Sequence, residues 1–396
     1  MGVNGGAICK FARVSRGENG PMKSMQDATG NLARMQEFIE SSEFDAVVAV
    51  SPENVLYIGD VFISTMVDIR DRLALIVWAK GRPPAFVLCQ VEEGYVRQES
   101  WIQDIRTYKE FVTSPVDVLA DVLDEFGLAQ GKVGIETEYF GVHYHRALQH
   151  RLPGLTVESC DMLLGQARMI KSPREREIMT EAFRGTEKAL METYAATKVG
   201  DTERDMAFRL CDGILRSGAE SVAFCHINAG PNTGFPHMDP SANTVKSGDI
   251  LKADTGGFYS RYYSNVGRTA KMGKPTDEDL SWWGRLRDIH HRIIDMVRPG
   301  NTGAQLFAEA TRLHELHKIP FPYAHNGHGI GLQIHEHPLI SPHDHTPYEA
   351  GMMTTVETRV RWVGKVGYHM EDLIEVTEGA PILRSDYFDN EEIFVV

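Results

Sequence analysis

Apolar residues recur along this chain with two periods, one typical of strands and the other of helices. Short apolar runs bounded by turn-forming residues predict four buried strands in the first half, at 44–50, 73–78, 85–89 and 133–136. Helical patterns occupy 33–41 and 114–126, and the second of these is amphipathic. Since strands and helices alternate here, we expect a sheet covered by helices, an α/β arrangement.

The second half has longer helical patterns and separate groups of strand-like segments. Ser172 before Pro173 predicts a helix start, because serine caps a helix and proline fits its first turn. Three helices are predicted, running from 173 to about 198, from 201 or 202 to Gly218, and over 283–297. Strand-like stretches lie at 249–253, 264–270, 352–363 and 373–377. This segregation predicts an α+β domain in which a curved sheet is backed by helices.

The patterns divide the 396 residues into three predicted segments. Residues 1–28 lack apolar periodicity and are expected to form a flexible leader, within which Met22 or Met25 is an alternative start. An α/β domain is predicted at 29–168. The α+β domain follows at 169–396.

Composition and charge limit the classes of binding partner and the cellular locations that we expect for this protein. The formal net charge is −14, and an acidic surface repels nucleic acids and anionic lipids. The longest apolar run, at about 73–79, is far shorter than the roughly 20 residues of a membrane helix, and the N-terminus has no apolar signal core. Five scattered cysteines without CxxC spacing are typical of reduced thiols. We therefore expect a cytoplasmic protein that binds neither nucleic acid nor membranes.

Metal-ligand side chains cluster in four segments of the second half, at predicted strand ends or in glycine-rich loops. The segments are 254–265, 326–331, 356–358 and 367–372. Together they supply one imidazole, three carboxylates and one amide, an oxygen-rich set. Such a set suits Mn²⁺, Fe²⁺, Co²⁺ or Zn²⁺ better than a structural zinc site, which favours thiolates. From composition alone a second interpretation stays open, because isolated carboxylates are usually solvated surface groups.

The four segments also form an ordered series of short motifs. In the first, Asp254 and a glycine-rich turn precede Asn265 and Arg268-Thr269. In the second, Gly-His-Gly-Ile-Gly-Leu begins at 327 and is followed by His335-Glu336. In the third, Gly351-Met352 precedes Glu357, and in the fourth, Glu371-Asp372 precedes a hydrophobic strand. This series resembles the five-ligand signature of the M24 metallopeptidase family, which includes methionine aminopeptidase, aminopeptidase P, prolidase and creatinase. The resemblance is strong over 165–380, and 30–165 match in outline the N-terminal domain of the prolidase and creatinase branches.

The resemblance implies a fold and a reaction. The fold is α+β, with a C-terminal pita-bread domain preceded by a smaller creatinase-type N-terminal α/β domain. The reaction is hydrolysis by water that one or two divalent ions per subunit activate. The residues that match the family's metal ligands are Asp254, Asn265, His328, Glu357 and Glu371.

Two histidines match the substrate-side histidines of the family, His237 in Phe-Pro-His-Met-Asp-Pro and His335 after the second motif. We expect Glu357 or His237 to move the proton, and both histidines to stabilise the developing oxyanion and the leaving nitrogen. The chain contains 16 histidines, so an ordinary loop histidine is the alternative interpretation for each.

One departure from the family bears on the metal. The second ligand position holds Asn265 where the family has an aspartate that bridges two ions. An amide offers one neutral oxygen and bridges poorly. We therefore expect the asparagine to weaken the binding of two ions more than the binding of one. Three hypotheses follow: one metal held mainly by His328, Glu357 and Glu371, two metals held weakly, or metal-free chemistry as in creatinase. Thr358, where the family usually has proline, is a second departure.

A further expectation concerns Arg70, in Asp-Ile-Arg-Asp-Arg before a predicted strand. Its position resembles the creatinase-type arginine that reaches into the partner subunit and holds the substrate carboxylate. Arginine suits bidentate carboxylate binding, and such a clamp would require a homodimer. Surface charge ahead of a strand is the alternative.

Three functions are compatible with these features. The first is a peptidase that cuts a bond before proline in a dipeptide. The second is a non-peptide enzyme acting on a small carboxylate, such as a creatinase-like amidinohydrolase, a cyclic-amidine hydrolase or a lyase. The departures at Asn265 and Thr358 and the position of Arg70 favour it. The third is a binding module that keeps the fold without activity.

Overall fold

The computed structural model describes residues 23–69 and 71–396. These fall into two compact units, one ending at Arg174 and one made of Glu175–Val396. Arg70 and residues 1–22 of the predicted leader lie outside the described residues. In the remainder of that leader, Met25–Asp27 form a short 3₁₀ turn with Ser24 at its N-cap. None of the helices in the described ranges is long and apolar enough to cross a membrane.

The first unit is a mixed sheet covered by helices. Its elements are α1 (Leu32–Ser41), β1 (Ala46–Ala49), α2 (Pro52–Gly59), α3 (Ser64–Asp68), β2 (Leu75–Ala79), β3 (Ala85–Cys89), α4 (Glu93–Glu99), β4 (Asp104–Tyr108), α5 (Pro115–Glu125), β5 (Lys132–Ile135), α6 (Val142–Arg151), β6 (Thr156–Ser159) and α7 (Asp161–Arg168). Among the described residues the sheet has six strands in the order β4-β3-β2-β1-β5-β6. Strand β1 pairs antiparallel with β2 and parallel with β5.

Local sequence explains where several of these helices begin. Ser51 and Ser114 each accept a hydrogen bond from a backbone N–H of the first turn of α2 and α5, and a proline follows each serine. Proline has no N–H to leave unpaired at that position, so the two residues together fix the helix start. One face of α5 then packs its apolar residues against the sheet.

The second unit is a large, mainly antiparallel sheet with long helices. Its elements are α8 (Pro173–Ala196), α9 (Glu203–Arg216), β7 (Ser221–Ala229), β8 (Ile250–Tyr259), β9 (Tyr262–Tyr263), β10 (Val266–Lys271), α10 (Asp277–Met296), α11 (Gly303–Leu316), β11 (His328–Gly329), β12 (Glu336–Leu339), β13 (Met353–Trp362), β14 (Val366–Glu375), β15 (Ile382–Leu383) and β16 (Phe394–Val395). The main path of the sheet runs β12-β11-β13-β14-β10-β8-β7. Helix α10 packs on β13 and β14, and α9 packs on β7 and β8.

One expectation about the strands is wrong. The metal-ligand segments were expected at strand ends or in glycine-rich loops, but Asp254 and Glu371 lie inside β8 and β14; Glu357 lies inside β13, as the predicted strand at 352–363 implies. Strand β14 begins at Val366, seven residues before the predicted start at 373. The predicted stretch overlaps the strand only at its end, where Leu373 and Ile374 put apolar side chains on both faces. The earlier part alternates polar groups toward both sides of the sheet, so hydrophobicity alone does not reveal it.

Candidate metal centre

Three carboxylates occupy one row across four strands of the second unit. Asp254 in β8 pairs with Gly267 in β10, Gly267 pairs with Glu371 in β14, and Glu371 pairs with Glu357 in β13. Residues directly opposite each other in a sheet point to the same face. All three carboxylates are buried, at 6%, 1% and 7% exposure for Asp254, Glu371 and Glu357. The antiparallel pairing therefore concentrates negative charge from distant parts of the chain.

Gly267 makes room for this row. A Cβ atom at Gly267 would lie 2.8 Å from the His369 ring and 2.9 Å from Cβ of Glu371. Such distances are too short for any side chain, so only glycine lets Asp254 and Glu371 approach each other across β10.

Asn265 and His328 adjoin the row. The Asn265 amide donates to Oε1 of Glu371 at 2.8 Å, and His328 Nε2 lies 3.5 Å from the same oxygen. His328 Nδ1 lies 3.0 Å from the Gly329 carbonyl, so Nδ1 carries the proton and Nε2 keeps its lone pair. Burial, and then His335, lowers the pKa of His328 to about 3, so the imidazole is neutral at pH 7. The structure thus places the five expected ligands in or beside one row of the sheet, while their role as ligands stays a prediction.

Two buried oxygens of the cluster have no hydrogen-bond partner among the described residues. They are Oδ1 of Asn265 and Oε2 of Glu371. A buried polar atom without a partner costs free energy, and a cation relieves that cost. Burial, followed by the charges of Glu357 and Asp254, raises the pKa of the Glu371 carboxyl well above its usual value. A nearby positive ion would lower that pKa, because it offsets the negative charges of Glu357 and Asp254. Both observations show that these residues fit a divalent cation.

Four basic side chains near the row were missed by sequence reasoning: Lys252, Arg359, Arg361 and His369. Arg359 Nη1 lies 2.6 Å from Oε2 of Glu357, and His369 Nε2 lies 3.1 Å from its Oε1. Burial alone would raise the pKa of Glu357, but Arg359 and His369 hold it well below its usual value. His369 also forms, with Glu357 and Glu371, a buried group whose ligand atoms all lie within 4.8 Å of one another.

A signal for these residues was present in the sequence. Each stands two or four positions from a carboxylate of the row on the same strand, and the period of two in a strand puts such residues on one face. The register confirms the arrangement, since Lys252 pairs with Thr269 and His369 pairs with Arg359 in the next row.

The two expected substrate-side histidines border the cluster. His237 is exposed, and its Nε2 lies 3.9 Å from Oδ2 of Asp254. Lys252 donates to the carbonyls of Phe235 and Pro236 at 2.5 and 3.2 Å, which fixes the chain just before His237. The ring centroid of His335 lies 4.0 Å from that of His328.

A third histidine in this region, His325, was not expected. Its Nδ1 lies 3.7 Å from Oε2 of Glu357. Burial lowers the pKa of His325 to about 4, so it is neutral at pH 7.

The other face of the same strands carries a buried charge network. Arg268 in β10 contacts Glu187 of α8 and Asp372 of β14, and Asp372 contacts His290 of α10 at 2.8 Å. Thr358 belongs here too, with its hydroxyl 3.0 Å from Nδ1 of His290. The interpretation of Thr358 as a mark of altered chemistry is therefore not supported by its position, since its side chain faces away from the carboxylate row.

The remaining expected site residue, Arg70, lies outside the described residues. Its neighbour Arg72 is paired with Glu110 through Nε at 2.6 Å and Nη2 at 3.0 Å. The clamp thus stays a prediction for Arg70 alone.

Two family models match the chain. Residues 177–378 match metallopeptidase family M24, and residues 31–170 match the creatinase/prolidase N-terminal domain. The Xaa-Pro dipeptidase of Lactobacillus helveticus is 25% identical over 360 residues, which are 88% of this chain and 94% of that protein. The Xaa-Pro dipeptidase of Pyrococcus furiosus is 30% identical over 220 residues, which are 55% of this chain and 63% of that protein.

Solved structures show the same architecture. The dipeptidase PepE from Mycobacterium ulcerans superposes with a TM-score of 0.81 at 26% identity, covering 92% of this chain and 96% of that one. The X-Pro aminopeptidase from Thermotoga maritima gives a TM-score of 0.79 at 23% identity, covering 92% and 99%. The predicted fold, a pita-bread domain preceded by a creatinase-type N-terminal domain, is confirmed.

Proposed function

Because the chain belongs to metallopeptidase family M24, we propose that it is a metal-dependent dipeptidase that hydrolyses the C–N bond before proline. One observation carries this proposal: a buried row of three carboxylates is flanked by a neutral imidazole and by Asn265, and one oxygen of Glu371 and one of Asn265 have no hydrogen-bond partner in the described part of the chain. Such a set of donors is built to hold a cation. The Xaa-Pro dipeptidase from Lactobacillus helveticus, which aligns over most of the chain, supports the choice of substrate.

The metal would be held by Asp254, Asn265, His328, Glu357 and Glu371, with His369 as an additional candidate. Oxygen donors dominate, so Mn²⁺, Fe²⁺, Co²⁺ and Zn²⁺ are the ions that suit this set. When bound, such an ion lowers the pKa of a coordinated water and polarises a carbonyl oxygen.

Proton transfer belongs to His237 in this proposal. Arg359 and His369 lie 2.6 and 3.1 Å from the two oxygens of Glu357. They hold its pKa well below the usual value, so its carboxylate is a poor proton carrier. His237 has an exposed imidazole beside Asp254, where it can reach a substrate and the surrounding water. His335, next to His328, is placed to donate to the oxyanion that develops during attack.

A second candidate is a non-peptide hydrolase or lyase acting on a small carboxylate. The observation that favours it is the concentration of positive charge at Glu357, where Arg359 and Arg361 lie 2.6 and 4.0 Å from the carboxylate. Guanidinium groups bind carboxylates well, and a small anionic substrate would add a negative charge to this region.

A substrate panel distinguishes the two candidates. The protein, loaded with Mn²⁺, is assayed on Ala-Pro, Gly-Pro and Met-Pro beside creatine and related guanidino acids, with and without a chelator. The proposal predicts release of proline from the dipeptides, loss of that activity with the chelator, and none in His328→Ala. Turnover of guanidino acids alone would replace it with the second candidate. No turnover of either class would contradict both.

The homodimer, the Arg70 clamp and the cytoplasmic location stay part of this proposal. The clamp makes a specific prediction, because an arginine supplied by the partner subunit would be lost on dilution to monomers. Sedimentation of the protein across a concentration series, with activity measured in parallel, tests it. A fully active monomer would contradict the clamp.

A further inference from the structure

We propose that the guanidinium of Arg359 takes the place of a second metal ion, so that the centre holds a single divalent ion per subunit. The inference rests on the proposed function in one respect, since it requires a metal-binding centre at all. It goes further in assigning one of the two cation positions to a side chain.

Arg359 is fixed against the carboxylate row from several sides. Its Nη1 lies 2.6 Å from Oε2 of Glu357, and its Nη2 donates to the His325 carbonyl at 3.2 Å. The guanidinium carbon lies 4.3 Å from the centre of the Tyr323 ring, in a cation–π contact. The residue is only 4% exposed. A guanidinium does not lose its proton in a protein, so this position carries a permanent positive charge.

The charge balance of the centre then limits the number of ions. With all three carboxylates ionised, as they would be around a bound cation, Asp254, Glu357 and Glu371 contribute three negative charges. Arg359 and Arg361 contribute two positive ones, so the net charge of these side chains is −1 before Lys252 is counted. One dication brings that net charge to +1. A second dication would bring it to +3 in a buried site, where repulsion between like charges is poorly screened.

Asn265 also favours a single ion at the centre. Its N–H donates to Glu371 at 2.8 Å, which leaves Oδ1 as its one free lone-pair atom. That neutral oxygen can serve one ion but cannot neutralise and bridge two. The unpartnered oxygens belong to Asn265 and Glu371, while the guanidinium is bound to Glu357. The metal is therefore expected beside Asn265 and Glu371, and the guanidinium lies beside Glu357.

Binding of Mn²⁺ to the full-length protein tests the inference without any assay of activity. Bound Mn²⁺ per subunit is measured by equilibrium dialysis with elemental mass spectrometry, and electron paramagnetic resonance separates an isolated ion from a coupled pair. We expect one Mn²⁺ per subunit with the six-line signal of an isolated ion. The double variant Asn265→Asp/Arg359→Gln is expected to bind two, with the broadened spectrum of a coupled pair.

Two further variants keep the result interpretable. Asn265→Asp is close to isosteric and is expected to gain the second site only weakly while Arg359 remains, which preserves a test if the double variant does not fold. Arg312→Gln removes the same charge from an exposed position on α11, where the side chain is 58% exposed, and is expected to leave the stoichiometry at one.

The outcomes are distinct. Two coupled ions in the unaltered protein would overturn the inference and leave the metal-dependent function standing. No bound Mn²⁺ in any variant would overturn the proposed function and the inference together. A single ion in the double variant, when folded, would show that Arg359 does not limit the site and would also overturn the inference.

Discussion

Arg268 and Asp372 form a fully buried ion pair, with Nη2 of the arginine 2.6 Å from Oδ1 of the aspartate, directly behind the carboxylate row. Asp372 follows Glu371 in β14, so the two neighbours face opposite sides of the sheet. Burial alone would raise the pKa of Asp372, but Arg268 and His290 hold it well below its usual value. One side of the strand holds the candidate centre, and the other ties it to α8 and α10.

Removing Asp372 is expected to destabilise the second unit. Asp372→Ala leaves the buried Arg268 with Glu187 as its one carboxylate partner among the described residues and removes the carboxylate beside Nε2 of His290. Breaking a buried pair in this way costs about 3–5 kcal/mol. The free energy of unfolding in urea measures the change. Asp386→Ala breaks a pair with Arg184 that is nearly half exposed, and is expected to cost less than about 1 kcal/mol. Equal losses in the two variants would contradict the anchoring role of Asp372.

The glycine within the carboxylate row provides a second prediction. In Gly267→Ala, the new methyl group meets the His369 ring at 2.8 Å and Cβ of Glu371 at 2.9 Å. We expect metal affinity to fall by at least about 10-fold, since ligands displaced by fractions of an ångström hold an ion less well. Isothermal titration with Mn²⁺ measures this effect.

Gly284 is the matched control for that substitution. It lies in α10 with nothing within 4 Å of an added Cβ. Gly284→Ala is therefore expected to leave metal affinity unchanged and to stabilise the helix by up to about 1 kcal/mol. Unchanged Mn²⁺ binding in Gly267→Ala would show that the close packing at β10 does not govern the ligand geometry.

A third prediction concerns the loop that carries His237. The buried carboxylate of Glu203 accepts hydrogen bonds from the backbone N–H groups of Ala229 and Ser241, and from the side chains of Asn232, Ser241 and Asn243. It therefore fixes both ends of the segment around His237. Glu203→Gln cannot accept all of these bonds, and we expect a loss of about 1–3 kcal/mol of stability.

The pH dependence of that loss has a defined sign. Burial alone would raise the pKa of Glu203, but the hydrogen bonds from Ser241 and Ala229 lower it. The stabilisation is therefore complete above the unfolded pKa of about 4.3 and disappears as the pH falls through the lower folded value. Unfolding of the wild type and of Glu203→Gln should differ at pH 7 and converge in acid. A difference that grows in acid would contradict the assignment, and Glu220→Gln, at an exposed pair with Arg261, should show little effect.

Some elements with a capping signal or a short apolar run were predicted closely from the sequence. Strand β3 was predicted at 85–89, and the start of α5 at Ser114 matches its N-cap. Strand β7 was missed because its first six residues are only partly buried and show no simple alternation. Helix α11 was missed although Thr302 and Gln305 form a capping box at its start, a signal that was available.

The candidate centre was predicted in part. The order of the motifs led to five residues, because ligand positions recur in a fixed order along a family: Asp254, Asn265, His328, Glu357 and Glu371. Arg359 and His369 were missed because the ordered motifs assign neither of them as a ligand. Their spacing from Glu357 and Glu371 was an available signal, but strand register is needed to show that they lie beside the row. Register depends on long-range pairing of β13 with β14, which no local pattern specifies.

Metal retention is the most direct test of the central claim that the carboxylate row is a metal centre. Elemental mass spectrometry on protein purified without chelators or added metal gives the ions bound per subunit. Wild type is expected to retain Mn, Fe, Co or Zn, and His328→Ala, which loses the neutral imidazole beside Glu371, is expected to retain almost none. A wild-type protein that contains no metal and regains none on reconstitution would contradict the claim. The chemistry would then have to proceed from the side chains alone, with His237 at its centre.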